Sequence, residues 1–271
     1  MKFGRQHDPI TLTETLPPDK WWFNAKTNKC SLFIGTTNWT NPGWKDPNFK
    51  TRDSLTSYSQ LFNAIELNTS FYHIPSIEQV QIWAQKTAPN FKFCPKIPRA
   101  ISHHKSLNIE SDILLRFREN ISNFESQLGP CFMQLPDYFD TKRKNSLFQF
   151  LELQKKGFNL FIELRHPSWF EKSQELDQLI STLITKNIGL VITDTPGRRD
   201  VLHMNHIIPT TFIRFVATGD DSSDESRLMQ WRKHMEDWAS LGVQEIYFFI
   251  HHPNHTKLIE FSKLLRTEPV E

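Results

Sequence analysis

Three short stretches of this chain put charged side chains where an apolar wall is expected. Ile65-Glu66-Leu67-Asn68 alternates apolar and polar residues, Ile162-Glu163-Leu164-Arg165 does the same, and in Ile213-Arg214-Phe215 an arginine stands between two apolar neighbours. Successive side chains of an extended strand point to opposite faces. If the apolar residues face one way, Glu66, Asn68, Glu163, Arg165 and Arg214 face the other. Related groups end other apolar runs: Lys96 with Arg99 just beyond it, Gln134 before Pro136, Asp194 before Thr195, and His251-His252 after Phe249-Ile250. Carboxylates beside lysine and arginine suit acid–base chemistry, because neighbouring opposite charges push pKa values apart and so assign roles. On this reading Glu66 or Glu163 is the base, Lys96 or His166 is the acid partner or electrostatic stabiliser, and Asp194 completes the reacting set. Arginine offers a planar donor fork that matches carboxylate or phosphate. Arg99, Arg165 and Arg214, together with Asn68, Gln134 and His251, therefore point to an anionic or oxygen-rich small molecule. Trp39, Tyr72 and Trp169 are candidates to wall its pocket, with core packing as the competing role.

These residues converge only if their strands belong to one sheet. From Ser31 onward, eight short apolar runs alternate with helical patterns: Leu32–Gly35, Ala64–Asn68, Lys92–Lys96, Cys131–Leu135, Leu160–Leu164, Gly189–Asp194, Thr211–Phe215 and Ile246–Ile250. That alternation predicts a parallel α/β sheet. The clearest helix follows Asp112, where Leu114, Phe117, Ile121, Phe124 and Leu128 form one apolar stripe. A capping box from Ser76 to Gln79 opens another, and Leu228, Trp231, Met235 and Trp238 mark a third. The sixth connection, Pro196 to Pro209, has no good helical pattern and reads as a long irregular loop. An open doubly wound sheet is the alternative, but no G-x-G-x-x-G follows the first strand. A single (β/α)8 TIM barrel over residues 31–265 is favoured, with an N-terminal extension over 1–30 and a short tail over 266–271. Barrel active sites lie at the C-terminal ends of the strands, which is where the charged ring falls.

The chain has 271 residues, 38% hydrophobic and 23% charged, with a formal net charge of +2. It is an ordinary folded composition, and too balanced in charge for a dedicated nucleic-acid domain. Lys142-Arg143-Lys144 and Arg198-Arg199 are short basic runs of the kind usually found on solvated faces. Three scattered cysteines (Cys30, Cys94, Cys131) suit a reducing compartment and give no zinc signature. No apolar stretch reaches a membrane span, and the first 30 residues lack a signal-peptide core, so a cytoplasmic protein is expected. No cofactor is called for. A competing mechanism, metal-dependent hydrolysis or isomerisation, would use Glu66, Glu163, Asp194 and His251 as ligands, against the repulsion of nearby cations. A third reading is a ligand-sensing or nucleic-acid-associated barrel without catalysis, touching nucleic acid through Lys142-Arg143-Lys144 and Arg198-Arg199. A serine or cysteine nucleophile has little support, since there is no G-x-S-x-G elbow and Cys94 and Cys131 fall within strands. His103-His104, His203 and His206 are loop histidines that could face the mouth.

Six ordered motifs resemble the YecE-like barrel family over roughly residues 31 to 260. They are Gly35-Thr36-Thr37-Asn38-Trp39 with Trp44, Glu66-Leu67-Asn68-Thr69-Ser70-Phe71-Tyr72, Lys96-Ile97-Pro98-Arg99-Ala100-Ile101-Ser102-His103, Gln134-Leu135-Pro136, Glu163-Leu164-Arg165-His166-Pro167-Ser168-Trp169, and Asp194-Thr195-Pro196-Gly197. The resemblance implies a TIM barrel with these motifs on its top face, and it implies no particular reaction. The chain departs from the family pattern at two places. His251-His252 stands where asparagines are expected, and Phe215-Val216-Ala217 replaces a more polar turn.

Overall fold

The computed structural model describes residues 29–40, 53–154, 157–171, 174–252, 254 and 256–266. Most of the expected N-terminal extension, Trp44 and nearly all of the tail lie outside the described residues. Eight parallel strands follow one another: β1 (Ser31–Thr36), β2 (Ala64–Leu67), β3 (Lys92–Pro95), β4 (Cys131–Gln134), β5 (Leu160–Glu163), β6 (Gly189–Asp194), β7 (Thr210–Val216) and β8 (Glu245–His251). Their hydrogen-bonded order is β3-β2-β1-β8-β7-β6-β5-β4, so the first and last strands are neighbours and the sheet curls into a barrel. Between β3 and β4 there is no continuous ladder. The seam is stitched by Gly129 N–H to Phe93 O and Ile97 N–H to Phe132 O, both 2.8 Å. With helices between the strands, this nearly closed barrel is a (β/α)8 TIM barrel.

The helices of the described residues are α1 (Ser54–Leu61), α2 (Thr69–Tyr72), α3 (Ile77–Gln85), α4 (Arg99–Ser102), α5 (Ile113–Ile121), α6 (Lys144–Glu152), α7 (Gln174–Thr185), α8 (Asp221–Ser240) and α9 (Thr256–Leu265). Their starts follow from local chemistry. Asp53 caps α1 by accepting from Leu55 and Thr56 N–H, Ser76 caps α3 by accepting from Gln79 N–H, and Asp220 caps α8. The stripe after Asp112 does not form one continuous α-helix. It is α-helical to Ile121 and continues as 3-10 turns over Ser122–Gln127, broken by a kink at Glu125, whose φ is 52°. The side chains of Ser122 and Asn123 both bond back to Glu119 O, at 2.7 and 3.0 Å, and offer that carbonyl a partner other than the next turn of α-helix. The stripe still faces inward, since Phe117, Ile121 and Phe124 are buried.

The sixth connection is the irregular loop expected, with one 3-10 turn at Arg199–Val201. Its histidines do not face the mouth. His203 is buried, with Nε2 3.0 Å from Val191 O and its ring stacked on Phe170; His206 packs at 4.0 Å against Trp238 of α8. Both anchor the loop to the barrel wall. Burial pushes each imidazole down to about 4.

An unfolded histidine takes up its proton near pH 6.5, so below that pH the unfolded chain binds more protons than the folded one. The stability carried by these two residues is therefore complete above pH ~6.5 and is lost progressively as pH falls toward 4. Urea unfolding at pH 7 and pH 5 should show a loss of about 2 kcal/mol per histidine. The variant His206→Phe should remove roughly half of that pH dependence. A dependence unchanged in this variant would show that the acid sensitivity lies elsewhere.

Candidate functional site

Strand register decides which side chains enter the barrel. Arg214 on β7 lies beside Thr193 of β6 and Phe249 of β8, and Gln134 on β4 lies beside Glu163 of β5. Two residues earlier on four of these strands stand Phe132, Phe161, Phe212 and Tyr247, on the same inward face. Phe212 is their hub, with ring centroids 5.1 Å from Phe132, 5.6 Å from Phe161 and 4.9 Å from Phe249. The barrel thus has an aromatic floor, and a polar layer rests on it.

Arg214 organises that layer. Its Nε and Nη2 donate to the two oxygens of Glu66, both at 2.9 Å, and its Nη1 donates to Oε2 of Glu163 at 2.7 Å. One guanidinium therefore binds two fully buried carboxylates, and its plane lies 5.3 Å above the Phe132 ring. Asn68 Nδ2 donates to Glu66 Oε1 at 2.9 Å, and His251 Nε2 sits 3.1 Å from Glu66 Oε2. Gln134 Nε2 donates to both oxygens of Glu163 at 2.9 Å, while Arg165 Nε approaches the same carboxylate at 3.8 Å. Burial alone would raise both carboxyls, but opposing charge wins. Arg214 and His251 hold Glu66 well below the usual carboxylate range, and Arg214 and Arg165 lower Glu163. Both are fixed as anions. Carboxyls lowered in this way are weak proton acceptors at neutral pH, which bears against a base role for Glu66 or Glu163.

Lys96, just past β3, is bonded differently. It is only 8% exposed, and its Nζ donates to the neutral Oε1 of Gln134 at 2.8 Å. The ammonium lies 4.4 Å over the Phe71 ring and 5.7 Å over Phe132. No carboxylate lies within ion-pair distance of it among the described residues, because the two nearby ones are taken by Arg214. Desolvation first, and then the Arg214 charge, lower its pKa to about 8. Paired with Arg214 across β6 and β7, Thr193 takes the same inward face. It is 6% exposed, and its hydroxyl meets no hydrogen-bond partner among the described residues.

Glu66, Lys96, Gln134, Glu163 and Arg214 are thus interlocked, and Asn68, Arg165 and His251 border them. The other candidate residues lie elsewhere. Asp194 is the largest correction. One position past the inward Thr193, it points outward and is enclosed by α8, where it pairs with Arg227 at 2.7 Å and with Arg199, and accepts from Trp231 Nε1 at 2.8 Å. The strand pleat puts it behind the wall, so it cannot share a ligand with Glu66 and Glu163, and the expected metal-ligand set does not converge. Trp169 is also core. It is fully buried, donates to Phe139 O at 2.7 Å and stacks on the Phe139 ring. Trp39 packs edge-on against Trp83 of α3. Tyr72, 68% exposed, and Arg99 line a cleft of about 720 Å³ outside the barrel, between the ends of α2 and α4 and the side of α5. His166 sits on the rim, where Nδ1 accepts from Ser168 N–H and meets Ser168 Oγ at 2.8 Å, capping the turn Pro167–Trp169.

Three contributors were not picked out from the sequence: Thr193, Phe71 and Phe132. No local sequence signal marks Thr193, because its inward face follows from its pairing with Arg214 across strands. Among the basic runs, Lys144 pairs with Glu175 and Arg198 with Asp200. Cys94 and Cys131 are buried, with their thiols pushed up by desolvation, as inert core thiols should be. Among the described residues no helix is long and apolar enough to cross a membrane.

Residues 33–267 match the sequence family described as protein of unknown function DUF72. The UPF0759 protein YecE of Escherichia coli strain K12 is 27% identical over 241 residues, covering 82% of this chain and 87% of that protein. The UPF0759 protein YunF of Bacillus subtilis strain 168 is 25% identical over 147 residues, covering 51% and 52%. A crystal structure of a DUF72 protein from Enterococcus faecalis V583 aligns with a TM-score of 0.70 at 17% identity, over 88% of this chain and 97% of that one. Another, from Thermotoga maritima MSB8, gives 0.64 at 22% identity, over 87% and 99%. At such identities the structural likeness speaks for the barrel alone.

The geometry of Arg214 predicts a steep cost for its loss. Arg214→Met strands two buried carboxylates and should lower stability by about 3–5 kcal/mol at pH 7. Both carboxyls have lowered folded pKa values, so their contribution is complete above the unfolded pKa of about 4.3 and is lost as pH falls below it. The gap between variant and wild type in urea melts should accordingly narrow below pH ~4. A variant as stable as wild type at pH 7 would show that the bridge is not a structural centre.

Proposed function

This chain belongs to the DUF72 family of proteins of unknown function, and we propose that it binds an anionic or oxygen-rich small molecule at the barrel mouth and performs acid–base chemistry on it. One observation carries the reading: Lys96 holds a buried ammonium whose hydrogen-bond partner is a neutral amide. Removing an ammonium from water costs several kcal/mol, and contact with aromatic faces returns only about 2. An oxyanion placed against Nζ would supply the missing opposite charge. Both buried carboxylates are spent on Arg214, so a guest that settles against Lys96 is favoured if it is anionic. Thr193 adds a buried hydroxyl able to bond a ligand oxygen.

The acid–base role falls to Lys96. A group with a pKa of about 8 is mostly protonated at neutral pH, yet gives up its proton far more readily than an ordinary lysine. Arg214, saturated on one edge by Glu66 and Glu163, keeps two N–H bonds beyond the three it spends on them. The fixed carboxylates hold that guanidinium in place, and the aromatic floor keeps the local dielectric low, so each ionic contact made there is strong.

The reading is tested by melting the protein with a panel of small carboxylates, phosphates and sugar phosphates. A ligand present at about a hundred times its dissociation constant should stabilise the fold by ~2.7 kcal/mol, roughly 5–10 °C for a chain of this size. Lys96→Met removes a buried charge, so the variant should fold at least as stably as wild type while losing that ligand-induced shift. Thr193→Val should weaken it. If every anion shifts Lys96→Met as much as wild type, or if none shifts the wild type, the mouth is a closed salt-bridge network and the reading fails.

A further inference from the structure

We infer that Lys96 is a covalent nucleophile whose Nζ condenses with the carbonyl of a small anionic aldehyde or 2-oxo acid to form an imine. The inference rests on the proposed anion site and names its substrate class. Its geometric basis is the way the charges are shared out. A buried lysine normally stays charged because a carboxylate sits against it, but here Arg214 occupies Glu66 on both oxygens and Glu163 on one, and Gln134 stands between Glu163 and Lys96. Nζ is left with an amide oxygen and the faces of Phe71 and Phe132. That setting tolerates a neutral amine far better than a salt bridge would. An adjacent cation and apolar surroundings are the two devices that activate a lysine toward carbonyl carbon; here Arg214 shares the Phe132 ring with Lys96, and Phe71 covers Nζ from another side. The lowered pKa agrees with this arrangement.

The remaining groups fit the other half of such a substrate. With the carbonyl carbon at Nζ, its carboxylate or phosphate meets the Arg214 and Arg165 side of the chamber, and the Thr193 hydroxyl is available to the carbonyl oxygen. The step balances without a further reagent. The amine lone pair forms the C–N bond as the C=O π pair moves to oxygen, and the carbinolamine then expels that oxygen as water, which carries away both amine protons. The product is a C=N bond on Lys96, which can act as an electron sink for proton removal at the adjacent carbon.

The experiment is reductive trapping. Intact protein is incubated at pH 7.5 with pyruvate or with glyoxylate and sodium cyanoborohydride, and peptides are mapped by mass spectrometry. An amine of pKa about 8 is roughly two hundredfold richer in its neutral form at this pH than an ordinary lysine. Allowing for restricted access, Lys96 should acquire the reduced adduct at least about tenfold faster than exposed Lys105 or Lys142. Oxalate and inorganic phosphate, which cannot form imines, should slow labelling at Lys96 and leave Lys105 unaffected. Lys96→Arg should abolish the fast-labelling site while the variant remains folded by circular dichroism. Adducts on Lys105 and Lys142 with Lys96 spared would overturn the inference. If oxalate or phosphate still shifts melting in that case, the anion site stands and only the covalent role is lost. If neither trapping nor melting responds, both fall.

Discussion

The site depends on one guanidinium held between two carboxylates inside a barrel. Arg214 of β7 joins Glu66 of β2 to Glu163 of β5, three strands far apart in sequence, through three charge-assisted hydrogen bonds of 2.7 to 2.9 Å. None of these ions is tolerable alone at that depth. Together they neutralise most of one another, and the shortfall is made up by Asn68, Gln134 and His251. The arrangement sets the electrostatics of the mouth.

The same exchange explains why Lys96 differs from its neighbours. Two carboxylates cannot satisfy Arg214, Arg165 and Lys96 equally, and the planar fork of Arg214 takes the larger share because it can bind both at once. Lys96 is left over an aromatic floor. Phe132 touches both cations, at 5.3 Å from Arg214 and 5.7 Å from Lys96, so it also holds the two like charges in register. Desolvation first, and then the Arg214 charge, hold that lysine down at about 8.

Behind the wall a second buried network fixes the frame. Arg227 of α8, fully buried, binds Asp194, Asp224 and the carbonyl of Val216, and lies 4.2 Å over the Phe215 ring. It ties the ends of β6 and β7 to the longest helix of the described residues. Since β7 carries Arg214 on its other face, this staple and the mouth network share a strand. The anchored histidines of the sixth connection hold the wall farther along, where His203 meets Val191 O of β6 and His206 meets Trp238 near the far end of α8.

Much of this was legible in the residues themselves. Period-two alternation placed Glu66, Glu163 and Arg214 inward, and eight apolar runs separated by helical patterns matched the eight strands, because alternation and amphipathic stripes are local properties of the backbone. The F-x-Q, F-x-E and F-x-R triplets ending at Gln134, Glu163 and Arg214 carry the aromatic layer beneath the polar one, although Phe132 was not picked out from the sequence. What could not be read locally was the pairing. Asp194 looks like a mouth residue until β6 is registered against β7, which turns Thr193 inward and hands Asp194 to Arg227 and Trp231, residues 33 and 37 positions away. Trp169 and Tyr72 likewise look alike in sequence, yet one is sealed in the core and the other stands on an outer cleft. The sequence determined which residues are charged and which face each takes along its own strand. Only the closed sheet decided which charges meet, because partner choice is set by distances between strands that the chain does not connect directly.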